Sequence, residues 1–297
     1  MSAPQPPVPP PGPPPLRPQR LFRPPTPGQL ITSNFGRYTV GTQIGAGQFG
    51  ATFWCTDEWH NELVMKVILP RGTYEQVRER WSFEIRNLLE LRHPNITYVY
   101  DAFELDDTFY IVLERCAETI GQMIQRPGFK GGIWFRPIAR CLLQGVHYLH
   151  LKRYVHKDIH LGNVFLAWHR DELVPAGGAF TFKVGDLGIS GLESEIDFFN
   201  TTLAQWMRPP EFLDPTFGLM GRAVDIYHSG LLLLAVLEGQ ARQFSREEIL
   251  GGAPRQAAEA VGPPYGPPLA RALRRHVAQR TQTAYQLWLD ILASGSP

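Results

Sequence analysis

The periodicity of the chain changes once, and that change limits the folds open to it. From Tyr38 to Val112 the apolar residues fall in short β-rich runs (RYTVGTQIG, ATFWCTD, LVMKVIL, FYIVL), interrupted by one charged helical stretch, TYEQVRERWSFEIRNLLELR. From Ile120 onward the spacing is helical in RPIARCLLQGVHYLHLKR, GRAVDIYHSGLLLLAVLEG and PPLARALRRHVAQRTQTAYQLWLDILA, with a strand pair, VFLAW and TFKVG, between the first two. A small sheet with one helix, followed by a mainly helical half, is an α+β arrangement in two lobes. With 297 residues, 43% of them hydrophobic, the chain is long enough to bury a core in each.

Thirteen of the 27 prolines precede Gly28, in a segment with little apolar content to drive packing. Residues 1–34 are therefore expected to form a disordered or polyproline II tail, with the folded domain running from 35 to 293 and dividing at about 115 into two lobes. Within the tail, Pro15, Pro18 and Arg20 fit the PxxPxR spacing read by SH3 grooves, which makes an SH3-type domain a candidate partner beside the plainer reading of a solvated spacer. A formal net charge of +1 gives no reason to expect nucleic acid or an acidic membrane as partner. The longest apolar run, LLLLAVL at Leu231 to Leu237, is far shorter than the roughly 20 residues that cross a bilayer and reads as a buried helix. The N-terminus has no apolar signal-type segment, and Cys55, Cys116 and Cys141 lie far apart without metal-type spacing. A reducing compartment, cytoplasm or nucleus, is the expected location.

Several short stretches carry chemistry. GAGQFG, Gly45 to Gly50, stands between two strands, where glycines let backbone N–H groups approach phosphate oxygens; an ordinary hairpin turn would also need glycine. Lys66 sits in the apolar strand LVMKVIL, where an inward ammonium requires an anion. Glu84, on the following helix, can supply one, unless both are surface charges. Asp158 and Asn163 in HKDIHLGNV, with Asp186 in GDLG, make an oxygen-rich set suited to Mg2+, although each alone could be a turn-capping residue. His147 and His150 lie one helical turn apart with no third ligand nearby and read as structural.

Taken in order, these segments resemble the eukaryotic-type protein kinase superfamily from Tyr38 to Leu292. The glycine loop GAGQFG, the VMK lysine, Glu84 before LRHPNI, HKDIHLGN, DLG, RPPE, DIYHSG and Arg280 follow one another at kinase spacings. The resemblance implies a bilobal protein kinase fold and transfer of the γ-phosphate of ATP to hydroxyls of a protein substrate, with Mg2+. It makes Asp158 the residue that orients the substrate hydroxyl, Lys66 and Glu84 the pair that aligns the phosphates, and Asn163 and Asp186 the metal ligands. Ile44, Gly45, Ala46, Gly47, Gly50, Thr52, Val64, Glu114, Cys116 and Phe165 would join Lys66 around the nucleotide, with Leu113 as gatekeeper and the backbone of 114–116 meeting the adenine edge. Glu211 and Arg280 would form a buried ion pair bracing the helical lobe.

The sequence also departs from that pattern. Lys157 replaces the usual arginine, Val64 and Thr52 replace alanine and valine, and His160 and Ala204 stand where a lysine and its threonine partner are usual. His160 is expected to lie beside Asp158 and act as a conditional cation. QWMRPPEF looks like the WYRAPE segment of serine/threonine kinases, and Thr201 or Thr202 is the expected site of any activating phosphate. The region from 245 to 268 is short and Gly/Pro-rich where substrate-docking helices normally lie. The competing reading is a pseudokinase or scaffold. Small-molecule phosphotransferases share a DxHxGN-like loop but lack the RPPE, DIYHSG and Arg280 signals.

Overall fold

Alternation in the first third of the chain builds one antiparallel sheet. The computed structural model describes residues 24–46, 50–170, 178–187, 190–193 and 208–295. Strands β1 (Leu30–Thr32), β2 (Arg37–Ala46), β3 (Gly50–Thr56) and β4 (Glu62–Ile68) are followed by helix α1 (Tyr74–Glu90), then β5 (Val99–Leu105) and β6 (Thr108–Glu114). The six strands lie in the order β1-β2-β3-β4-β6-β5. Along β4, Leu63, Met65 and Val67 are buried on one face while Val64 and Lys66 point to the other, so the period of two decides which residues can face a ligand. Thr73 caps α1 reciprocally with Gln76, the signature that begins its helical stretch.

The sheet curls until its ends meet. Ser33 Oγ and Tyr38 Oη both donate to Asp101 Oδ2, at 2.6 and 2.8 Å, although Asp101 lies on the strand farthest in order from β1. Tyr38 also stacks on Phe103, and Phe103 on Tyr110, inside the curl. This corrects the expected start of the domain near Phe35. Leu30–Thr32 pairs with β2, Ile31 is buried, and Gly28 N donates to Val40 O at 2.7 Å. A three-residue strand with one inward apolar side chain is too short to show alternation, and it follows directly on a proline-rich run.

The chain crosses over through β7 (Glu118–Thr119) into α2 (Ile120–Ile124), α3 (Gly131–Leu151), β8 (Tyr154–Val155), β9 (Val164–Arg170), β10 (Gly178–Val184) and β11 (Gly191–Leu192). Helices α4 (Pro210–Leu213), α5 (Ala223–Glu238), α6 (Arg246–Gly251), α7 (Ala253–Val261), α8 (Gly266–Ala272) and α9 (Ala284–Ser294) complete it. The result is a bilobal α+β architecture. β10-β9-β7 form a second small sheet, and β11 pairs with β8. Helix α5 is buried from Ala223 to Val236, as its LLLLAVL run requires, and packs with α3, α8 and α9 in the larger core. Among the described residues no helix is long and apolar enough to cross a membrane.

Three local expectations change. The run from Pro267 to Ala293 is broken into α8, a 3-10 turn at Val277–Gln279 and α9, because the chain leaves the helix to deliver Arg280 inward and restarts at the Thr283 cap. The stretch 245–268 holds two short helices, the first opened by a Ser245 to Glu248 capping box and separated from the second by Gly252 at φ +87. The strand pair expected as VFLAW and TFKVG runs further than those segments, since Trp168 pairs with Phe180 and Arg170 with Gly178.

Candidate active site

The cleft face of the sheet presents the residues its alternation selects. Thr52 lies opposite Lys66 across β3 and β4, Val64 opposite Leu113 across β4 and β6, and Gly45 opposite Thr52 across β2 and β3. Ile44 and Ala46 end β2 on the same hairpin. A Cβ on Gly50 would come within 3.0 Å of Val67 O and 3.3 Å of Lys66 Cε, so glycine lets the hairpin lie over the lysine stem.

Lys66 Nζ donates to Glu84 Oε1 at 2.6 Å and lies 3.2 Å from Asp186 Oδ1. The three groups come from the sheet, α1 and the segment after β10, so one ammonium ties both lobes together. Burial pulls the Lys66 ammonium down, but the Glu84 and Asp186 carboxylates more than offset that and hold it above the usual lysine range. Helix α1 is kept in place from its buried side: Asn87 Nδ2 donates to the carbonyls of Leu187 and Ser190, each at 3.3 Å, and Leu187 packs with Leu88 and Leu91.

Facing this pair, the loop after β8 is fixed by one carboxylate. Asp225 Oδ2 accepts from His150 Nε2 at 2.9 Å and from His156 N at 2.8 Å, while Oδ1 accepts from Lys157 N at 2.9 Å. Burial pushes the Asp225 carboxyl up, yet His150 and the backbone donors hold it below the usual carboxylate range. The structural reading of His150 therefore has a concrete partner. His156, fully buried, takes the Asp158 N–H on Nδ1 at 3.2 Å, which leaves its proton on Nε2 to donate to Gly185 O at 3.0 Å. Through this ring the Asp158 backbone is joined to the residue beside Asp186. Lys157 and Asp186 both hold left-handed backbone, at φ 69 and 59, a conformation of order 1 kcal/mol uphill that tertiary bonds must impose.

The Asn163 amide donates to Asp158 O at 3.0 Å and to Asp158 Oδ2 at 3.1 Å. Asp158 Oδ1 is buried and has no hydrogen-bond partner, which leaves an acceptor for a substrate group. With its N–H groups engaged, Asn163 has its carbonyl oxygen for a cation, and Asp186 adds a carboxylate. Among the described residues no three His, Cys, Asp or Glu side chains gather as a metal site. A hard cation at Asn163 and Asp186 would thus complete its oxygen shell from phosphate and water, which suits Mg2+.

His160 lies where the sequence put it, with Nε2 3.7 Å from Asp158 Oδ1. Its Nδ1 accepts the Gly162 N–H at 3.0 Å, so the ring proton is on Nε2, turned toward the aspartate. A Cβ on residue 162 would stand 2.8 Å from His160 Cε1.

At the crossover, Cys116 is partly buried, and burial, reinforced by Glu114, pushes its thiol up to about 12, so it remains a thiol at neutral pH. Phe165 pairs with Thr119 and Lys183 on β9, close under Gly185. The Glu114 side chain turns away from the cleft to Lys183, whose Nζ lies 2.8 Å from both carboxylate oxygens. Sequence reasoning missed Lys183, Asn87 and the role of Asp225. Lys183 carried the signal that found Lys66, an ammonium in an apolar strand. Gly47, Thr201, Thr202, Ala204 and the Pro15, Pro18 and Arg20 motif lie outside the described residues.

The pattern of the protein kinase domain family matches residues 38–256. The chain is 26% identical over 223 residues to the cell cycle serine/threonine-protein kinase CDC5/MSD2 of Saccharomyces cerevisiae, covering 72% of this chain and 30% of that protein. It is 27% identical over 210 residues to the serine/threonine-protein kinase TAO3 of Rattus norvegicus, covering 68% and 22%, and to TAO2 of Homo sapiens, covering 68% and 16%. The chain spans less than a third of the length of each of these relatives.

Proposed function

This chain belongs to the protein kinase family, and from that premise we propose that it transfers the γ-phosphate of ATP, with Mg2+, to serine or threonine hydroxyls of protein substrates. The observation that carries the reading is the Lys66–Glu84 contact at 2.6 Å with Asp186 at 3.2 Å, set across the cleft from the bonded Asp158–Asn163 pair. Lys66 would align the phosphates, Asn163 and Asp186 would hold the metal, and Asp158 Oδ1 would take up the proton of the attacking hydroxyl. The hinge backbone at 114–116, with Thr52, Val64 and Phe165, would hold the adenine. Serine/threonine specificity is supported by the naming of the relatives as serine/threonine-protein kinases and by QWMRPPEF. The three cysteines stand as free thiols, which suits a reducing compartment, cytoplasm or nucleus.

A second reading, a pseudokinase or scaffold with little turnover, is favoured by His160, where a lysine would carry a fixed charge, and by Lys157, which keeps the charge of the usual arginine but lacks its planar fork. Incubating the purified protein with Mg-ATP and a generic protein substrate, followed by phosphoamino-acid analysis, separates the two. Phosphoserine or phosphothreonine, lost in Lys66→Met, is the expected outcome. Phosphotyrosine alone overturns the specificity, and nucleotide binding without any transfer favours the pseudokinase.

A further inference from the structure

A second buried lysine joins the two lobes, outside the phosphate-facing set. Lys183 is 1% exposed and sits in β10, part of the small sheet of the larger lobe. Its Nζ donates to both oxygens of Glu114, each at 2.8 Å, and Glu114 is the last residue of β6 in the curled sheet of the smaller lobe. The ammonium also stands 4.0 Å over the ring of Tyr98, where the π face favours a cation. Tyr98 completes the arrangement: its N–H donates to Glu114 Oε1 at 2.6 Å, and its carbonyl accepts the Glu114 N–H at 3.0 Å. Each charged group therefore meets a carboxylate, an aromatic face or a backbone donor, which is the condition for a buried pair to hold its geometry. The seam beside it is stitched by Thr97 N to Val184 O at 3.0 Å and Val184 N to Asn95 O at 2.8 Å.

Glu114 opens the crossover. Three residues on, Ala117 N donates to Leu166 O at 2.7 Å, so the chain between is pinned at one end by a side-chain ion pair and at the other by a backbone bond. We infer that Lys183 is a positioning residue for nucleotide recognition: by drawing the Glu114 carboxylate out of the cleft, it sets the direction in which the backbone of 114–116 presents its N–H and C=O groups to a purine edge. This rests on the ATP reading of the site. The phosphate-facing groups, Lys66 and Asp186, are not part of the lock. Losing Lys183 would leave the Glu114 carboxylate buried without its cation, and the crossover would have to turn to solvate it.

The test compares two ligands that use different ends of the site. In the full chain, Lys183→Met keeps the length and apolar stem of the side chain and removes its charge. Calorimetric titration with adenosine is expected to show affinity about tenfold weaker than wild type, the scale of one lost hydrogen bond, while Mg-tripolyphosphate binds as in wild type. Lys183→Arg is expected to recover part of the adenosine affinity, because charge is retained at the same place. Should Lys183→Met not fold, Glu114→Gln provides the same comparison, since the amide keeps the shape and an acceptor but loses the ion pair. Equal adenosine affinity in wild type and in a folded variant overturns the inference, as does parallel weakening of both ligands, which is the mark of general destabilisation. A wild type that binds neither adenosine nor ATP overturns the nucleotide reading itself.

Discussion

Asp158→Asn is expected to lower phosphoryl transfer about a thousandfold while leaving nucleotide affinity near that of wild type. The carboxylate has two unlike oxygens in the structure: Oδ2 accepts the Asn163 amide at 3.1 Å, and Oδ1 is buried without a partner. An asparagine would keep its oxygen on the Asn163 side and turn an NH2 group to the place of Oδ1. A donor would then stand where the substrate hydroxyl needs an acceptor. General-base positioning contributes about 10²- to 10⁴-fold in such reactions and acts in the transition state rather than on bound nucleotide. Single-turnover rates and nucleotide titration on the same preparation check both halves, and a variant with turnover comparable to wild type would end the kinase reading.

The largest expected loss of stability is at Arg280. Its guanidinium is fully buried and uses its fork completely: Nη1 and Nη2 donate to the two oxygens of Glu211 at 2.7 and 2.8 Å, with further bonds to the carbonyls of Ala223, Arg274 and Arg275. It also lies 4.9 Å over the Tyr227 ring. Arg280→Met would leave the Glu211 carboxylate and three backbone carbonyls without their donor, a loss of about 3–5 kcal/mol. Arg280→Lys is expected to recover little, since a single ammonium cannot span both carboxylate oxygens and the carbonyls. Chemical denaturation of the two variants and Glu211→Gln measures this, and a loss under about 1 kcal/mol in Arg280→Met would show that the network is dispensable.

What the sequence made legible was what local chemistry makes conspicuous. Lys66 stood out as an ammonium among valine, methionine and isoleucine, and its carboxylate partner lay on the next element; Glu211 and Arg280, by contrast, were found only through the ordered resemblance. The same reasoning applied to Lys183 in TFKVG would have found an unassigned cation, but its anion is 69 residues away on a strand whose backbone, not its side chain, had drawn attention. Register decides such pairs, and register is invisible until strands are placed. The orientation of the His160 ring was hidden for a related reason: it depends on a bond from the Gly162 N–H, two residues along a loop whose turn could not be foreseen. The start of the sheet at Leu30 was hidden because one buried isoleucine carries the whole of β1.

The Asp225 carboxylate ties the rigidity of a loop to the most buried helix in the molecule. Its acceptors hold the amides of His156 and Lys157, and its backbone belongs to α5, where every residue from Ala223 to Val236 is sequestered. Local fraying of the catalytic segment cannot release those two amides unless α5 or the carboxylate moves as well. Their protons are therefore expected to exchange with solvent as slowly as those of the α5 interior, by the opening that unfolds the whole lobe. A loop that in most proteins would breathe on its own here shares the fate of its scaffold, so the Asp158 backbone keeps one geometry for as long as the lobe is folded.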